Sequence, residues 1–156
     1  MELIPVLFAL FATLLLIVAA VGDLRSRTIP NWLTGAVALL AIGWWWANGW
    51  ALWPDVALRI GIALIVFLLF AIAFAMGAMG GGDVKLIAAL ALWLPLAPLA
   101  QMLLIMALAG GALTLVMIAR RRWLRAEGSS EVPYGVAIAA GGLWVFTNQF
   151  LTIPGP

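Results

Sequence analysis

The sequence predicts an all-α fold, a polytopic membrane helix bundle with about six transmembrane spans. Hydrophobic residues make up 67% of the 156 residues and charged residues only 9%, whereas soluble domains carry about 25% charged residues. The mean hydropathy is +1.20. Apolar runs near the length of about 20 residues that a helix needs to cross a bilayer recur along the chain. We therefore expect a single membrane-embedded domain over residues 1–156.

The first three spans are predicted from apolar runs and from the residues that end them. Leu3 to Val21 is the first span, Trp32 to Trp53 the second and Val56 to Met79 the third. The second run ends in a group of tryptophans, which collect at membrane interfaces. We expect a tight turn at Pro54-Asp55 and a glycine-rich break at residues 77–82.

The remaining apolar sequence predicts three further spans. Residues 84–119 are too long for one crossing and short for two, and the stretch 95–98, with a proline at each end, indicates a turn. We therefore predict a fourth span from Val84 to Leu94 and a fifth from Leu99 to Ala119. The fourth would reach only about 16 Å as a helix, so it is tilted or begins inside the hydrocarbon. The sixth span is Pro133 to Phe150.

The basic residues predict the orientation of the bundle. With six alternating spans, all of them except Arg59 fall on one face, which the positive-inside rule makes cytoplasmic. Both chain ends should then lie outside the cytoplasm. The arginine cluster at 120–125 is interpreted as a topology determinant, with a lipid-headgroup or substrate-docking role as the alternative. The residues on the predicted cytoplasmic face are Arg25, Arg27, Lys85, Arg120, Arg121, Arg122 and Arg125.

Two aspartates beside apolar spans are the candidate catalytic residues. Asp23 follows the first apolar run and Asp83 precedes the fourth. A carboxylate near hydrocarbon is costly and is a functional candidate by default. Two spans separate Asp23 from Asp83, so they share a face, whereas Asp55 lies one span from each and falls on the opposite face. Asp23 and Asp83 are thus the pair that can meet as general acid and base.

The missing residue types narrow the chemistry. The chain has no His and no Cys, which excludes a thiol nucleophile, a Ser-His relay and metal sites built from His or Cys. A hydrolase with this composition would rely on carboxylates, with no metal and no organic cofactor. The chain has eight basic and six acidic residues. This small excess does not indicate nucleic-acid binding, because the placement of the basic residues reflects membrane topology.

The residues around the aspartates have structural interpretations as well. Asp23 could be a helix-end charge balanced by nearby arginines, and Asp83 could be the N-cap of the fourth span. The glycines at 80–82 form either a flexible connector or a surface that an extended substrate can approach closely. Lys85 is an interfacial anchor or holds Asp83 in place. Asn31 is expected to cap the second span.

Three segments of the chain resemble the type IV prepilin leader peptidases, membrane aspartyl proteases with a Gly-x-Gly-Asp motif. The segments are Asp23 with Arg27 and Ile29-Pro30-Asn31, then Gly80-Gly81-Gly82-Asp83-Val84-Lys85, and, more weakly, Val132-Pro133-Tyr134-Gly135-Val136-Ala137. They follow the order of the family and cover most of the chain. The resemblance implies catalytic roles for Asp23 and Asp83. It implies substrate-binding or site-supporting roles for Arg27, Pro30, Asn31, Gly80, Gly82, Lys85, Pro133, Tyr134 and Gly135.

The resemblance also implies a substrate and a location. The substrate would be a prepilin, in which a short basic leader precedes an apolar helix, cleaved at the cytoplasmic edge of the inner (plasma) membrane among its lipids. Larger members carry an N-terminal segment with paired cysteines and an N-methyltransferase activity. This sequence has no Cys and begins at the first span. We therefore expect a peptidase-only form, similar to those serving Flp or tight-adherence pili.

Two other functions stay open at the level of sequence. One keeps the chemistry but changes the substrate, as in a preflagellin or other signal-peptide aspartyl protease. The other is a small transport or assembly subunit in which Asp23 and Asp83 relay protons or maintain helix packing. The shortened fourth span resembles the broken helices of transporters, whereas a relay usually needs acids near the middle of the membrane.

Overall fold

The computed structural model describes residues 3–124 and 133–151, and within them it confirms the all-α class, with six α-helices and no strand. Irregular turns lie at Leu52–Val56, before α3, and at Thr147–Leu151, after α6. The helices are α1 Leu3–Ser26, α2 Asn31–Ala47, α3 Ala57–Ala75, α4 Gly81–Ala91, α5 Leu96–Leu124 and α6 Tyr134–Phe146.

Among the described residues, three helical segments are long and apolar enough to cross a membrane: Leu3–Ser26, Leu52–Ala75 and Leu96–Arg120. Most of their large apolar side chains point outward, such as Phe11, which is 57% exposed, and Leu68, which is 56% exposed. Exposed apolar surface on this scale is what lipid covers in a membrane protein. The chain is therefore a membrane protein.

Helices α4 and α6 form the centre of the bundle. Helix α4 packs against α2, α3 and α6, and α6 packs against α1 and α5 as well. Seven of the eleven residues of α4 are buried, whereas the longer α3 buries only Ala63 and Val66. With eleven residues, α4 extends about 16 Å, about half the thickness of a hydrocarbon core. It is therefore a short inner helix surrounded by longer outer ones.

Aromatic side chains gather at one end of the bundle. The ring centroid of Trp44 lies 4.6 Å from that of Trp50, 5.8 Å from Trp93 and 5.1 Å from Phe150. The Nε1 of Trp93 donates a hydrogen bond of 3.1 Å to the carbonyl of Val37. The carboxyl ends of α2, α4 and α6 therefore meet at this end, and their amino ends meet at the other.

Helix α1 continues past the apolar run that predicted it. It ends at Ser26 rather than Val21, so Asp23 lies inside its last turns. The next residue, Arg27, has φ 53 and its N–H donates to the carbonyl of Asp23 over 2.9 Å. A left-handed residue of this kind, usually glycine, commonly ends a helix.

Several other predicted bounds differ for local reasons. Helix α2 ends at Ala47, six residues before the end of the predicted second span, because the chain turns at Gly49, whose φ is +64. Pro54 and Asp55 lie within the irregular turn before α3. Helix α5 begins before Pro98, since proline is tolerated in a first turn. At its other end it continues five residues past the predicted Ala119 to Leu124, so Arg120 lies within the helix, and Arg125 lies outside the described residues.

Glycine in α6 allows α5 to approach closely, which predicts the effect of a Gly141→Ala substitution. A Cβ at this position would lie 2.6 Å from the carbonyl oxygen of Met102, a backbone atom that cannot rotate away. We expect the free energy of unfolding to fall by about 1–3 kcal/mol, measured as a lower thermal midpoint in detergent.

Gly111→Ala is the matched control for this prediction. No atom lies within 4 Å of the position that its Cβ would take, and alanine is the better helix former. Equal thermal midpoints for the two variants would contradict the close α5–α6 contact.

Candidate active site

The candidate residues converge at the end of the bundle opposite the aromatic group. The Nζ of Lys85 donates a hydrogen bond of 2.8 Å to Oδ1 of Asn31. A Cβ at Gly82 would lie 2.9 Å from the carbonyl oxygen of Ile29. These two contacts join the segment after α1 to the start of α4. The start of α6 joins them through Gly135, which touches Asp23.

Asp23 is buried between α1 and the first turn of α6. Its side chain is 5% exposed, and a Cβ at Gly135 would lie 2.8 Å from its Cγ. The backbone N–H groups of Gly135 and Val136 face the carboxylate, and the charge of Arg27 also acts on it. Within residues 3–124 and 133–151, no hydrogen-bond partner contacts its Oδ2. A buried acceptor without a partner is costly, and such atoms are concentrated at functional sites.

Asp83 is buried in the first turn of α4, with 9% of its surface exposed. Its Oδ2 accepts a hydrogen bond of 3.2 Å from the N–H of Gly80. The N-cap of α4 is Gly80. The prediction that Asp83 is the N-cap is therefore wrong. Asp83 is the third helical residue and reaches back to the N-cap, as the acidic member of a capping box does.

The two carboxyl groups influence each other electrostatically. Asp83 lies at the start of α4, a helix too short to be one of the three span-length segments. Burial, and then the negative charge of Asp23, raise the pKa of Asp83 to about 6, while the hydrogen bond from Gly80 opposes both. A carboxyl group that titrates near neutral pH can both give and take a proton there, as general acid–base catalysis requires.

Asp55 lies away from this site. It is exposed in the irregular turn before α3, near Arg59, whose guanidinium stacks 3.9 Å above the ring of Trp50. This places Asp55 at the aromatic end. Of the three aspartates, the structure brings Asp23 and Asp83 together and leaves Asp55 at the opposite end of the bundle.

Lys85 and Asn31 bond to each other, whereas the sequence analysis considered Lys85 as a partner of Asp83 and Asn31 as the cap of α2. Lys85 does not hold Asp83, because residues two apart on a helix point about 200° away from each other. Asn31 does not cap α2, whose N-cap is Pro30 in an extended conformation without a side-chain cap. The Asn31–Lys85 bond instead ties the entry of α2 to the outer face of α4.

The remaining candidates, Pro133 and Tyr134, lie at the start of α6. Pro133 is the N-cap of α6, and its carbonyl accepts a hydrogen bond of 3.2 Å from the N–H of Val136. Tyr134 packs on α5, where a Cβ at Gly110 would lie 3.4 Å from its Cε1. Sequence reasoning missed the part played by Val136 and the contact between Ile29 and Gly82, since neither has a local signal. Val132, the first residue of this motif, lies outside the described residues.

The comparisons with known proteins give one family. The model of the type IV leader peptidase family matches residues 10–115, which is more than half of the chain and includes both aspartates. No curated protein and no solved structure matches the chain.

The raised pKa of Asp83 predicts that Asp83→Asn stabilises the fold above pH 6. The folded pKa of about 6 exceeds the ordinary value of 3.8, so the folded state prefers the protonated acid. The stability of the native chain therefore falls as pH rises from about 4 to about 6 and stays low above that range. The amide carries no such penalty, and we expect a gain on the order of 1–3 kcal/mol at pH 8.

Thermal unfolding in detergent at pH 4 and pH 8 measures this effect. Asp55→Asn is the control, because Asp55 is exposed and its substitution removes a carboxylate that folding does not bury. The interpretation fails if Asp83→Asn and the native chain lose the same stability between these two pH values.

Proposed function

The chain belongs to the type IV leader peptidase family, and we propose that it removes the leader peptide of a prepilin with Asp23 and Asp83 as the catalytic pair. The proposal rests above all on two buried carboxyl groups from different helices, which lie at one end of the bundle and close enough for the charge of Asp23 to act on Asp83. One of them has a buried oxygen, Oδ2 of Asp23, that no group among the described residues satisfies. Its hydrogen-bonding capacity is therefore unused by this part of the chain.

The pair is suited to aspartyl hydrolysis because its members resist double ionisation. Two like charges placed close together share a proton, so one carboxyl group is protonated while the other is ionised. The ionised member takes a proton from water as the water oxygen attacks the scissile carbonyl carbon. The protonated member donates its proton to the carbonyl oxygen. In the second step the carboxyl group that took the water proton donates it to the amide nitrogen, and the other carboxylate takes a proton from a hydroxyl of the tetrahedral intermediate. The C–N bond then breaks, and the pair again holds one proton.

The surroundings of the pair prepare it for this chemistry. The N–H groups of Gly135 and Val136 face Asp23, and the N–H of Gly80 binds Asp83. For Asp83, the hydrogen bond from Gly80 favours the ionised form, while burial favours the protonated form. Its pKa of about 6 therefore suits it to take and release a proton during the reaction. The proposed reaction needs no metal and no organic cofactor.

The proposed substrate is a Flp-type prepilin, cut at the cytoplasmic edge of the inner (plasma) membrane. Arg25 and Lys85 lie at the same end as the aspartates, in the last turn of α1 and near the start of α4. Positive charge at this end supports a cytoplasmic orientation of the active site. Because the sequence has no Cys, we assign peptidase activity without N-methylation. A transporter is less well supported, since both acids lie at one end of the bundle.

Substitution of each aspartate tests the catalytic pair. We expect Asp23→Asn and Asp83→Asn to lower leader cleavage by at least about 100-fold, since an amide cannot exchange the proton. Cleavage of a prepilin reporter, with a basic leader ending in Gly and an apolar helix, is measured in membranes at matched expression. Asp55→Asn should cleave at the native rate.

The same assay separates the alternatives. Native cleavage by either Asp23→Asn or Asp83→Asn would exclude the aspartyl mechanism. A native chain that cleaves a preflagellin reporter and leaves the prepilin reporter intact would exclude the proposed substrate.

The close contact between α6 and Asp23 predicts that Gly135→Ala impairs turnover. The added Cβ would lie 2.8 Å from Cγ of Asp23, so the carboxylate must shift. A displacement near 1 Å at a reacting group can cost about 100-fold in rate, and we expect kcat to fall by about 10- to 100-fold with little change in KM.

Gly61→Ala is the control, because no atom lies within 4 Å of a Cβ at this position in α3. Thermal unfolding of both variants separates loss of activity from loss of fold. Native kcat in a folded Gly135→Ala protein would show that the contact does not position Asp23.

A further inference from the structure

A groove of about 480 Å³ runs along the outer face of α4, between α2 and α3. Helices α2 and α3 both pack on α4 and have little contact with each other. Each of the three helices lines the groove with four residues at positions i, i+3, i+4 and i+7, counted from Asn31 in α2, Ile60 in α3 and Lys85 in α4. This spacing is a single helix face. The groove is therefore a trough between three parallel stripes, about two helical turns long.

We propose that this trough, the α4 groove, binds the apolar helix of the prepilin substrate, with the leader junction at the Asn31–Lys85 end. The inference deepens the proposed function and depends on it. It commits to a transmembrane helix as the occupant, because three helix faces surround a space that a fourth helix would complete.

The groove has the small residues that close helix packing in a membrane requires. Gly35 and Ala38 line its α2 side, and Ala88 and Ala89 form its base on α4. Without a hydrophobic driving force between helices in lipid, association depends on close backbone approach at such small residues. The larger side chains lie on the α3 side, where Phe67 is 37% exposed and can pack over a bound helix.

The polarity of the groove gives the bound helix a direction. Its polar residues, Asn31, Thr34 and Lys85, all lie toward the active-site end, and the rest of the lining is apolar. A prepilin helix is apolar and its junction with the basic leader is polar. The apolar helix therefore begins at the polar end and extends toward the aromatic end, parallel to α2 and α4. Because the ammonium of Lys85 repels a basic leader, the leader itself leaves the groove at this end.

The leader junction must then cross the start of α4 to reach the carboxylates. Lys85 faces the groove and Asp83 faces the opposite side of the same helix, about 200° away. At the crossing, Gly80 is exposed and Gly81 is half-buried, while Gly82 is covered by Ile29. The missing side chains make room for Asp83 at Gly80 and for Phe74 at Gly81, and an extended substrate would lie over the exposed outer surface of Gly80. In this proposal the leader junction passes over the glycines before α4 on its way from the groove to Asp23 and Asp83.

Disulfide cross-linking tests the groove directly, because the native chain has no Cys. The probe is the prepilin reporter with one Cys in its apolar helix, trapped uncut by the Asp83→Asn variant and oxidised in membranes with copper phenanthroline. Ala38→Cys lines the groove, and Ala36→Cys is a matched control in the same helix, equally half-buried but facing away from the groove. We expect cross-links at Ala38→Cys, with reporter positions three to four residues apart, and none at Ala36→Cys.

A second pair of variants measures binding by the active protein. Ala38→Phe narrows the groove and should raise KM for the reporter by at least about tenfold, the cost of about 1.4 kcal/mol of lost binding, while kcat changes little. Ala36→Phe should retain native values. Equal cross-linking at the two positions, or a native KM for Ala38→Phe, would overturn the proposal.

The cleavage and cross-linking results together distinguish a wrong groove proposal from a wrong proposed function. If the native chain cleaves the reporter, and both aspartate variants do not, while cross-links are absent from Ala38→Cys, the groove proposal alone is wrong. If the native chain leaves the prepilin reporter uncut, both the function and the groove that rests on it are wrong.

Discussion

The burial of Asp83 in the first turn of a short inner helix is the constraint on which the rest of the site depends. Helix α4 has only eleven residues, so its amino end lies among the longer helices and close to Asp23. The close approach requires space that side chains would fill. A Cβ at Gly80 would lie 2.9 Å from Oδ2 of Asp83, and one at Gly82 would lie 2.9 Å from the carbonyl oxygen of Ile29. The glycines of this motif thus make room for a carboxyl group and for a neighbouring chain segment.

Helix α6 meets the same requirement from the other side. Gly135 brings two backbone N–H groups to face Asp23, and Gly141 lets the helix approach the backbone of α5 at Met102. Glycine lowers the intrinsic stability of a helix, and the close packing of α6 against α1 and α5 offsets that loss. Polar donors are in this way placed inside an apolar bundle by backbone rather than by side chains, whose desolvation would cost more.

The two buried acids lower the stability of the fold. In the part of the chain that the structure describes, Oδ2 of Asp23 is buried without a partner, and burial and like charge raise the pKa of Asp83. Each feature opposes folding at neutral pH. Proteins commonly retain such costs at functional sites, where a shifted pKa and an unsatisfied oxygen are what the chemistry uses. The buried α4 and α6 supply the packing that holds the two acids in place.

Sequence alone determined the all-α class, the approximate helices and the alternation that places Asp23 and Asp83 at one end, because run length and polarity are local properties. It was less accurate at helix ends, since the backbone hydrogen bonds of α1 continue past Val21 to Ser26 although the apolar run has stopped. Only the tertiary structure decided that Lys85 bonds to Asn31 and that Gly135 touches Asp23. These contacts join segments far apart in sequence, and they depend on how closely the helices pack and on which way each side chain points.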